Sequence, residues 1–240
     1  MIKAIIFDKD GTLIDFDAFW ISVSENAIDL LLKSINREDI PRDELLASIG
    51  VSDGVSDIGG LLCGGTYEEI ALAFNRVLEK YGCALERERV IADVLDFYNK
   101  SAAVGTVKPT CENLSEVLAE LKARGIKIAV VTTDNFEITE RCLKALGVYD
   151  CFDKIYTDDG KTPIKPDPSC ALDFCEFCGV NKDEMLMVGD TMTDVRFARN
   201  AGIRVMGVGA KAENRARLEP HADAVELDVS KIFEFIDGEK

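Results

Sequence analysis

Asp8 and Asp10 stand two residues apart at the end of an apolar run, in the stretch Ile5-Ile6-Phe7-Asp8-Lys9-Asp10-Gly11-Thr12-Leu13-Ile14. The run reads as a β-strand, whose period of two sends both carboxylates off the strand tip on roughly the same side, and Gly11 permits the sharp turn that follows. Two acids so close cannot both stay ionised in a dry site. Either one holds a proton or a cation lies between them, and both arrangements serve phosphoryl transfer. Taken alone, the pair is equally compatible with a solvated strand end, so the remainder of the chain has to decide.

Three further segments bear on it. Ile128-Ala129-Val130-Val131-Thr132 is a second apolar strand ending in a hydroxyl, and Lys165 heads Lys165-Pro166-Asp167-Pro168. Met185-Leu186-Met187-Val188 runs into Gly189-Asp190-Thr191-Met192-Thr193-Asp194, with Ala198 and Ala201-Gly202 beyond. In their order, and in their placement at strand ends or in loops, the four segments resemble the four motifs of the haloacid dehalogenase superfamily, closest to its phosphoglycolate-phosphatase-like members. The resemblance spans Ile5 to Gly202. One departure is that Thr133, followed by Asp134, stands where many members have Asn.

The resemblance implies a Mg²⁺-dependent hydrolase acting on a small phosphorylated metabolite through an aspartyl-phosphate. Asp8 would be the nucleophile and Asp10 the acid and base, giving its backbone carbonyl to the metal; the alternative for Asp10 is a second side-chain ligand. Asp190 fits a Mg²⁺ ligand, because this hard cation is held by one or two carboxylates together with phosphate and waters. Asp194, one helical turn on, would complete the metal set of Asp8, Asp10, Asp190 and Asp194, or else serve as a dipole partner at a helix N-terminus. Thr132 would donate its hydroxyl to a phosphoryl oxygen, with Thr133 as the alternative donor, and Lys165 would neutralise charge between nucleophile and phosphate. Dehalogenases and phosphonoacetaldehyde hydrolases resemble this pattern but lack an acid at the position of Asp10, since neither protonates a phosphate ester's leaving oxygen. The alternatives are a mutase of the β-phosphoglucomutase type, whose members more often show D-G-V where this chain has Gly11-Thr12, and an inactive binding or regulatory relative, which should have lost one of Asp8, Asp10, Lys165 or Asp190.

Positioning such residues requires a sheet. From Pro109 onward strand and helix patterns alternate, which predicts an α/β domain: a Rossmann-like, doubly wound parallel sheet with helices on both faces. Helices are expected from Thr110 to a stop at Gly125, from Phe136 to Leu146, after Pro168, and from Thr193 to Asn200. Strands are expected at Ile126 to Val131, Lys154 to Tyr156, Met185 to Val188 and Ile203 to Val208. Each candidate residue then falls at or just beyond a strand's C-terminal end, where open α/β sheets bind ligands. Gly207-x-Gly209-x-Lys211 lacks the remaining glycines of a nucleotide loop and reads as the turn leaving a strand.

Between the first two motifs lies a segment of another kind. Residues 16–106 carry helical faces (Phe19, Trp20, Val23, Ala27, Leu30, Leu31; Ile70, Leu72, Ala73, Val77, Leu78 after a Thr66-x-x-Glu69 capping box; Val90, Ile91, Val94, Leu95, Tyr98) and no persuasive strand. The chain is therefore expected to divide into a core of residues 1–15 and 107–240 and an all-helical inserted domain of residues 16–106, whose position resembles the family's helical cap. Gly50 to Gly65 holds six glycines in sixteen residues and reads as a solvated connection or a specificity loop. Phe16, Trp20 and Asp53 are candidate substrate contacts, Trp20 equally a core residue of the first inserted helix. Asp53 and Asp57 would repel a second anionic group, which favours a neutral or cationic remainder on the substrate.

Composition narrows the partners. The 240 residues carry a formal charge of −16, from 44 acidic against 28 basic residues, which argues against nucleic acid or an anionic membrane. A cation and one lysine can still reverse the field locally for a phosphate. Eight cysteines are scattered, and Cys175-x-x-Cys178 lacks the second pair a zinc site needs, the sole histidine being His221. Reduced thiols, with no basic leader and no apolar run near ~20 residues, point to a cytoplasmic protein, monomer or homodimer.

Overall fold

The computed structural model describes residues 1–238. Two compact units are present, one formed by Met1–Asp15 together with the chain from Val107 onward, the other by Phe16–Thr106. In chain order the elements are β1 (Ala4–Phe7); within the inserted unit, α1 (Phe16–Ser34), α2 (Arg42–Ser48), β2 (Val51–Ser52), β3 (Val55–Ser56), α3 (Leu61–Gly64), α4 (Tyr67–Lys80) and α5 (Arg87–Ala102). The first unit resumes with α6 (Leu114–Ala123), β4 (Lys127–Val131), α7 (Phe136–Ala145), β5 (Lys154–Tyr156), α8 (Ser169–Cys178), β6 (Met185–Gly189), α9 (Met192–Ala201), β7 (Arg204–Val208), α10 (Ala212–Leu218), β8 (Ala224–Glu226) and α11 (Ile232–Asp237).

The first unit is a six-stranded sheet of order β5-β4-β1-β6-β7-β8, parallel throughout. Its central strands are continuous apolar runs because both faces are covered. Ala4, Ile6, Ala129, Val131, Met185, Met187 and Val205 form one face and pack with Phe174 of α8 and Phe197 of α9. Each of those two rings is fully buried, which stabilises the fold by roughly 1.5–3 kcal/mol per side chain. Ile5, Phe7, Ile128, Val130, Leu186 and Val188 point to the opposite face and are equally buried; α6 packs against β4. The winding proceeds from β1 through β4 to β5, then returns across β1 to β6, β7 and β8. That reversal places a topological switch point at the tip of β1.

Helix α6 starts at Leu114, later than Thr110, because Thr110 is already committed elsewhere. Its hydroxyl donates to the Thr12 carbonyl at 2.6 Å and its N–H to that of Leu13 at 3.1 Å. The segments on either side of the insert are further joined by a bridge between Ile14 and Pro109 and by the Asp15 N–H donating to the Lys108 carbonyl at 2.9 Å.

In the inserted unit α1 packs against α5, α5 against α4, and α4 against α2. Phe19, Val23, Ile28, Leu31, Phe74, Val77, Val94 and Tyr98 fill its interior. The Tyr98 hydroxyl donates to Ser24 Oγ at 2.9 Å, and Ser24 in turn donates to the Trp20 carbonyl at 2.8 Å. The expectation of a wholly helical insert needs one amendment: β2 and β3 form a short antiparallel hairpin, Val51 opposite Ser56. Asp53 and Gly54 at its tip have φ of 51° and 73°, the positive values that a type I′ turn requires and that an Asp-Gly pair tolerates best. Asp57 closes the next turn through its Oδ1, which accepts the Gly59 N–H at 2.9 Å.

The capping box of α4 is formed: Glu69 N donates to Thr66 Oγ1 at 3.2 Å and Thr66 N to Glu69 Oε2 at 2.8 Å. Removing such a cap costs about 1 kcal/mol. Thr66→Ala should therefore lower the unfolding free energy by about 1 kcal/mol in a urea titration, with Thr66→Ser close to the parent; an unchanged midpoint would show the cap to be energetically idle.

Candidate active site

The tips of β1, β4 and β6 are adjacent, and the register fixes what leaves them. Phe7 pairs with Val130 on one side and Val188 on the other, so Thr132 and Asp190 lie two residues beyond its partners and Asp8 one beyond Phe7 itself. The Asp8 N–H extends the ladder to the Val188 carbonyl at 2.9 Å. The nucleophile candidate is thus held by backbone on a rigid strand end.

Lys165, from the loop before α8, reaches the same point. Its Nζ contacts Asp8 Oδ1 and, at 2.7 Å, Asp194 Oδ1. Asp8 and Lys165 are each 7% exposed and Asp194 is fully buried, so these charges compensate one another with little help from water. The second oxygen of Asp194 accepts from the Thr191 hydroxyl at 2.6 Å and the Thr191 N–H at 3.0 Å, completing a capping box at the start of α9. One oxygen of Asp194 thus caps the helix, and the other contacts Lys165.

Asp8, Asp190 and Asp194 each offer an oxygen, all within 4.8 Å of one another. One ammonium cannot balance three carboxylates. Burial, opposed by Lys165 and reinforced by Asp194, pushes the Asp8 carboxyl up to about 7. Burial, then Asp8 and Asp194, raises Asp190 well above the usual carboxylate range, and Asp190 Oδ1 is buried without a hydrogen-bond partner among the described residues. Burial works against the charge on Lys165, but Asp194 and Asp8 outweigh it and hold the lysine above its ordinary range. A cluster short of positive charge, with an orphaned carboxylate oxygen, fits a hard divalent cation. Two glycines make the convergence possible. A Cβ at Gly11, where φ is +78°, would fall 2.1 Å from Asp190 Oδ2, and one at Gly189 would fall 2.4 Å from Asp194 Cβ. The Asp190 carbonyl is fixed by Asn214 of α10, whose Nδ2 donates to it at 2.8 Å.

The side chain of Asp10 stands outside that cluster. Its Oδ1 accepts from Lys9 Nζ at 2.6 Å, and Lys9 also pairs with Asp134 Oδ2 at 2.9 Å. Lys9 is fully buried. Burial opposes its charge, yet Asp10 and Asp134 prevail and keep it above the ordinary lysine range. Burial, with Asp10 beside it, pushes the Asp134 carboxyl up to about 6.

Thr132 is buried and Thr133 exposed. Thr132 Oγ1 accepts the Asp134 N–H at 3.2 Å, which fixes the loop carrying both residues. The inserted-unit candidates occupy their own unit: Phe16 and Trp20 are half-buried on α1, with Trp20 edge-on to Phe19 at 5.2 Å, and Asp53 is exposed at the hairpin tip. Cys175 and Cys178 lie on α8, where Cys175 Sγ donates to the Val180 carbonyl at 2.9 Å, and all eight cysteines are free thiols. Among the described residues no helix is long and apolar enough to cross a membrane.

Sequence reasoning missed Lys9, Asp134, Thr191 and Asn214. Thr191-x-x-Asp194 is a legible capping signal. A lysine between two acids at the end of an apolar strand is a second such signal, since its neighbours leave it nowhere dry and neutral to go.

Residues 2–202 match the haloacid dehalogenase-like hydrolases. A Clostridium perfringens protein named provisionally as pyrophosphatase PpaX is 32% identical over 211 residues, covering 87% of this chain and 84% of its own. A phosphoglycolate phosphatase of Thiobacillus denitrificans is 29% identical, covering 86% and 83%. The crystal structure of a hydrolase of the same superfamily from Geobacter sulfurreducens superposes with a TM-score of 0.69 at 18% identity, over 98% of this chain and 96% of that one. The chain belongs to the haloacid dehalogenase-like hydrolase family and is an enzyme of its phosphatase kind.

Proposed function

We propose that the protein is a Mg²⁺-dependent phosphatase that hydrolyses a small phosphorylated metabolite through an aspartyl-phosphate on Asp8. The observation that carries this reading is the meeting of Asp8, Asp190 and Asp194 around the single ammonium of Lys165, with Asp10 adjacent in sequence and held apart by Lys9. A carboxylate nucleophile, a positive clamp and a separately held acid are what a phosphate monoester requires, because its anion repels attack and its alkoxide leaves poorly. An Asp8 oxygen attacks phosphorus as the ester oxygen departs with a proton from Asp10. In the second half Asp10 takes a proton from water, which attacks the aspartyl-phosphate and releases phosphate. Lys165 spans the nucleophile and the phosphoryl group, Thr132 donates its hydroxyl to a phosphoryl oxygen, and Asp194 holds Lys165 in place. Asp8, Asp190, Asp194 and the Asp10 carbonyl would hold Mg²⁺, which would supply charge neutralisation and alignment of the phosphate.

The core provides for phosphate alone, so selection among substrates falls to the inserted unit. Its candidates are Phe16, Trp20 and the hairpin bearing Asp53. The relatives' names specify pyrophosphate and phosphoglycolate, both with an anionic remainder, and these two belong at the head of a phosphate-release panel of phosphorylated metabolites. Free thiols throughout favour work in the reducing cytoplasm.

Exhaustive chelation should lower turnover of p-nitrophenyl phosphate at least ~100-fold, with recovery on adding Mg²⁺; full activity without metal would sink the metal assignment. Asp8→Asn should abolish turnover with an unchanged circular dichroism spectrum. Asp10→Asn should cost roughly 10²–10³-fold on β-glycerophosphate and less than about tenfold on p-nitrophenyl phosphate, whose leaving group scarcely needs the proton. Neutralising Asp53 and Asp57 together should raise the kcat/KM for phosphoglycolate relative to p-nitrophenyl phosphate several-fold; an unmoved ratio would make the hairpin a mere connection.

Stability should report the same charge imbalance. The folded Asp8 carboxyl titrates near 7 against 3.8 for a free side chain, and Asp134 near 6, so the folded state binds more protons than the unfolded state in between. Metal-stripped protein should consequently lose stability as pH rises from about 5 to about 7, a window above the titration of ordinary carboxylates. The gain in Tm from Mg²⁺ should grow over that same window. A metal-free Tm that climbs between those pH values contradicts the charge assignment.

A further inference from the structure

We propose that Lys9 is a positioning residue for the acid–base step, its buried ammonium fixing the Asp10 carboxylate with Asp134 as the counter-charge that keeps Lys9 in place. The proposal rests on the reading of Asp10 as the proton donor and goes beyond it by assigning the groups that aim that donor.

Lys9 sits between the two acids of the first motif, where strand alternation directs its side chain away from both. Its four-carbon stem nevertheless ends 2.6 Å from Asp10 Oδ1 and 2.9 Å from Asp134 Oδ2, and the residue is fully buried. An ammonium in such a place persists only if carboxylates pair with it. The two partners differ in what else they do. Asp134 is anchored from below, its N–H bonded to Thr132 Oγ1 at 3.2 Å and its carbonyl accepting from the Asp158 N–H at 2.9 Å. Asp10 lies on the turn after β1; the side chains of Asp10 and Asp134 are 18% and 13% exposed against none for Lys9. Asp134, carried on the braced loop after β4, therefore holds the lysine, and the lysine holds the second carboxylate of the first motif.

One consequence is a division of labour between the oxygens of Asp10. Oδ1 is bound to Lys9, so the proton that passes to the leaving oxygen rides on Oδ2, and the proton taken from water in the second half returns there. Lys9 keeps its own protons throughout and contributes orientation alone. A second consequence is the separation of the two acids of the motif. Asp8 faces the ammonium of Lys165 and Asp10 that of Lys9, so each acid has its own cation instead of competing for one.

The test is a double-mutant cycle with two leaving groups, in the Mg²⁺-loaded enzyme. Lys9→Met should lower kcat on β-glycerophosphate by roughly 10²-fold and on p-nitrophenyl phosphate by less than about fivefold, with KM little changed. In an Asp10→Asn background the same substitution should cost less than about threefold on either substrate, because the group it positions is already gone. Asp134→Asn, which keeps Lys9 itself, should show a smaller loss with the same leaving-group dependence, and it carries the test if Lys9→Met does not fold. Equal losses on both substrates, or a full multiplicative loss in the Asp10→Asn background, would make Lys9 a structural ion pair and overturn the proposal. An Asp10→Asn single variant blind to the leaving group would instead overturn the reading of Asp10, and this proposal with it.

Discussion

The contact on which the rest depends is that of one lysine, Lys165, with two buried carboxylates, Asp8 and Asp194. A pair of charges taken out of water is stable only when geometry is fixed and the remaining lone pairs are satisfied. The surrounding structure meets both conditions. Backbone pairing with Val188 holds Asp8, the capping box of α9 absorbs the second oxygen of Asp194, and Gly11 and Gly189 let Asp190 and Asp194 come close enough to share the field. Take Lys165 away and three acids face one another with no cation from the described residues paired to them.

A second lysine solves a different problem. Two acids separated by a single residue would normally share one proton or one cation, and neither would then have a role of its own. Placing Lys9 beside Asp10 and Lys165 beside Asp8 gives the two carboxyls unlike surroundings on one strand tip. The burial of Lys9 makes the arrangement obligatory in the folded state, because that ammonium has no other route to solvation. The formal charge of −16 does not describe the strand ends, where two buried ammoniums offset the local carboxylates.

Strands β1, β4 and β6 were legible because continuous apolar runs ending in acids or hydroxyls suit a parallel sheet buried on both faces, and the order of the motifs put the candidate residues at their tips. What escaped was whatever depends on reach or on partners distant in sequence. Period-two alternation describes where a Cβ points, and says nothing of a lysine stem long enough to curl back to its neighbour. Thr110 has good helix-starting chemistry, yet its hydroxyl and N–H are spent on Thr12 and Leu13, about a hundred residues earlier. The hairpin at Asp53-Gly54 carried its signal in plain view, and a glycine-rich surrounding hid it. The short elements β8, α10 and α11 lie past the last motif, where no run was long enough to show a period.

The place where the insert interrupts the core explains how one chain can hold a rigid sheet and a large separate unit. The chain leaves after Asp15 and re-enters at Val107, and between those points the flanking segments are joined by the Ile14–Pro109 bridge, the Asp15–Lys108 hydrogen bond and the two bonds of Thr110. A loop closed this firmly at its base passes little of its own strain to the sheet. Since closure entropy grows only with the logarithm of loop length, some ninety residues can be accommodated there at little more cost than a short connection. The constraint on the insert is then confined to its own packing, while the strand tips keep their spacing whatever the insert becomes. Such a junction lets residues 16–106 change by substitution within their own unit, leaving the geometry around Lys165 and Lys9 untouched.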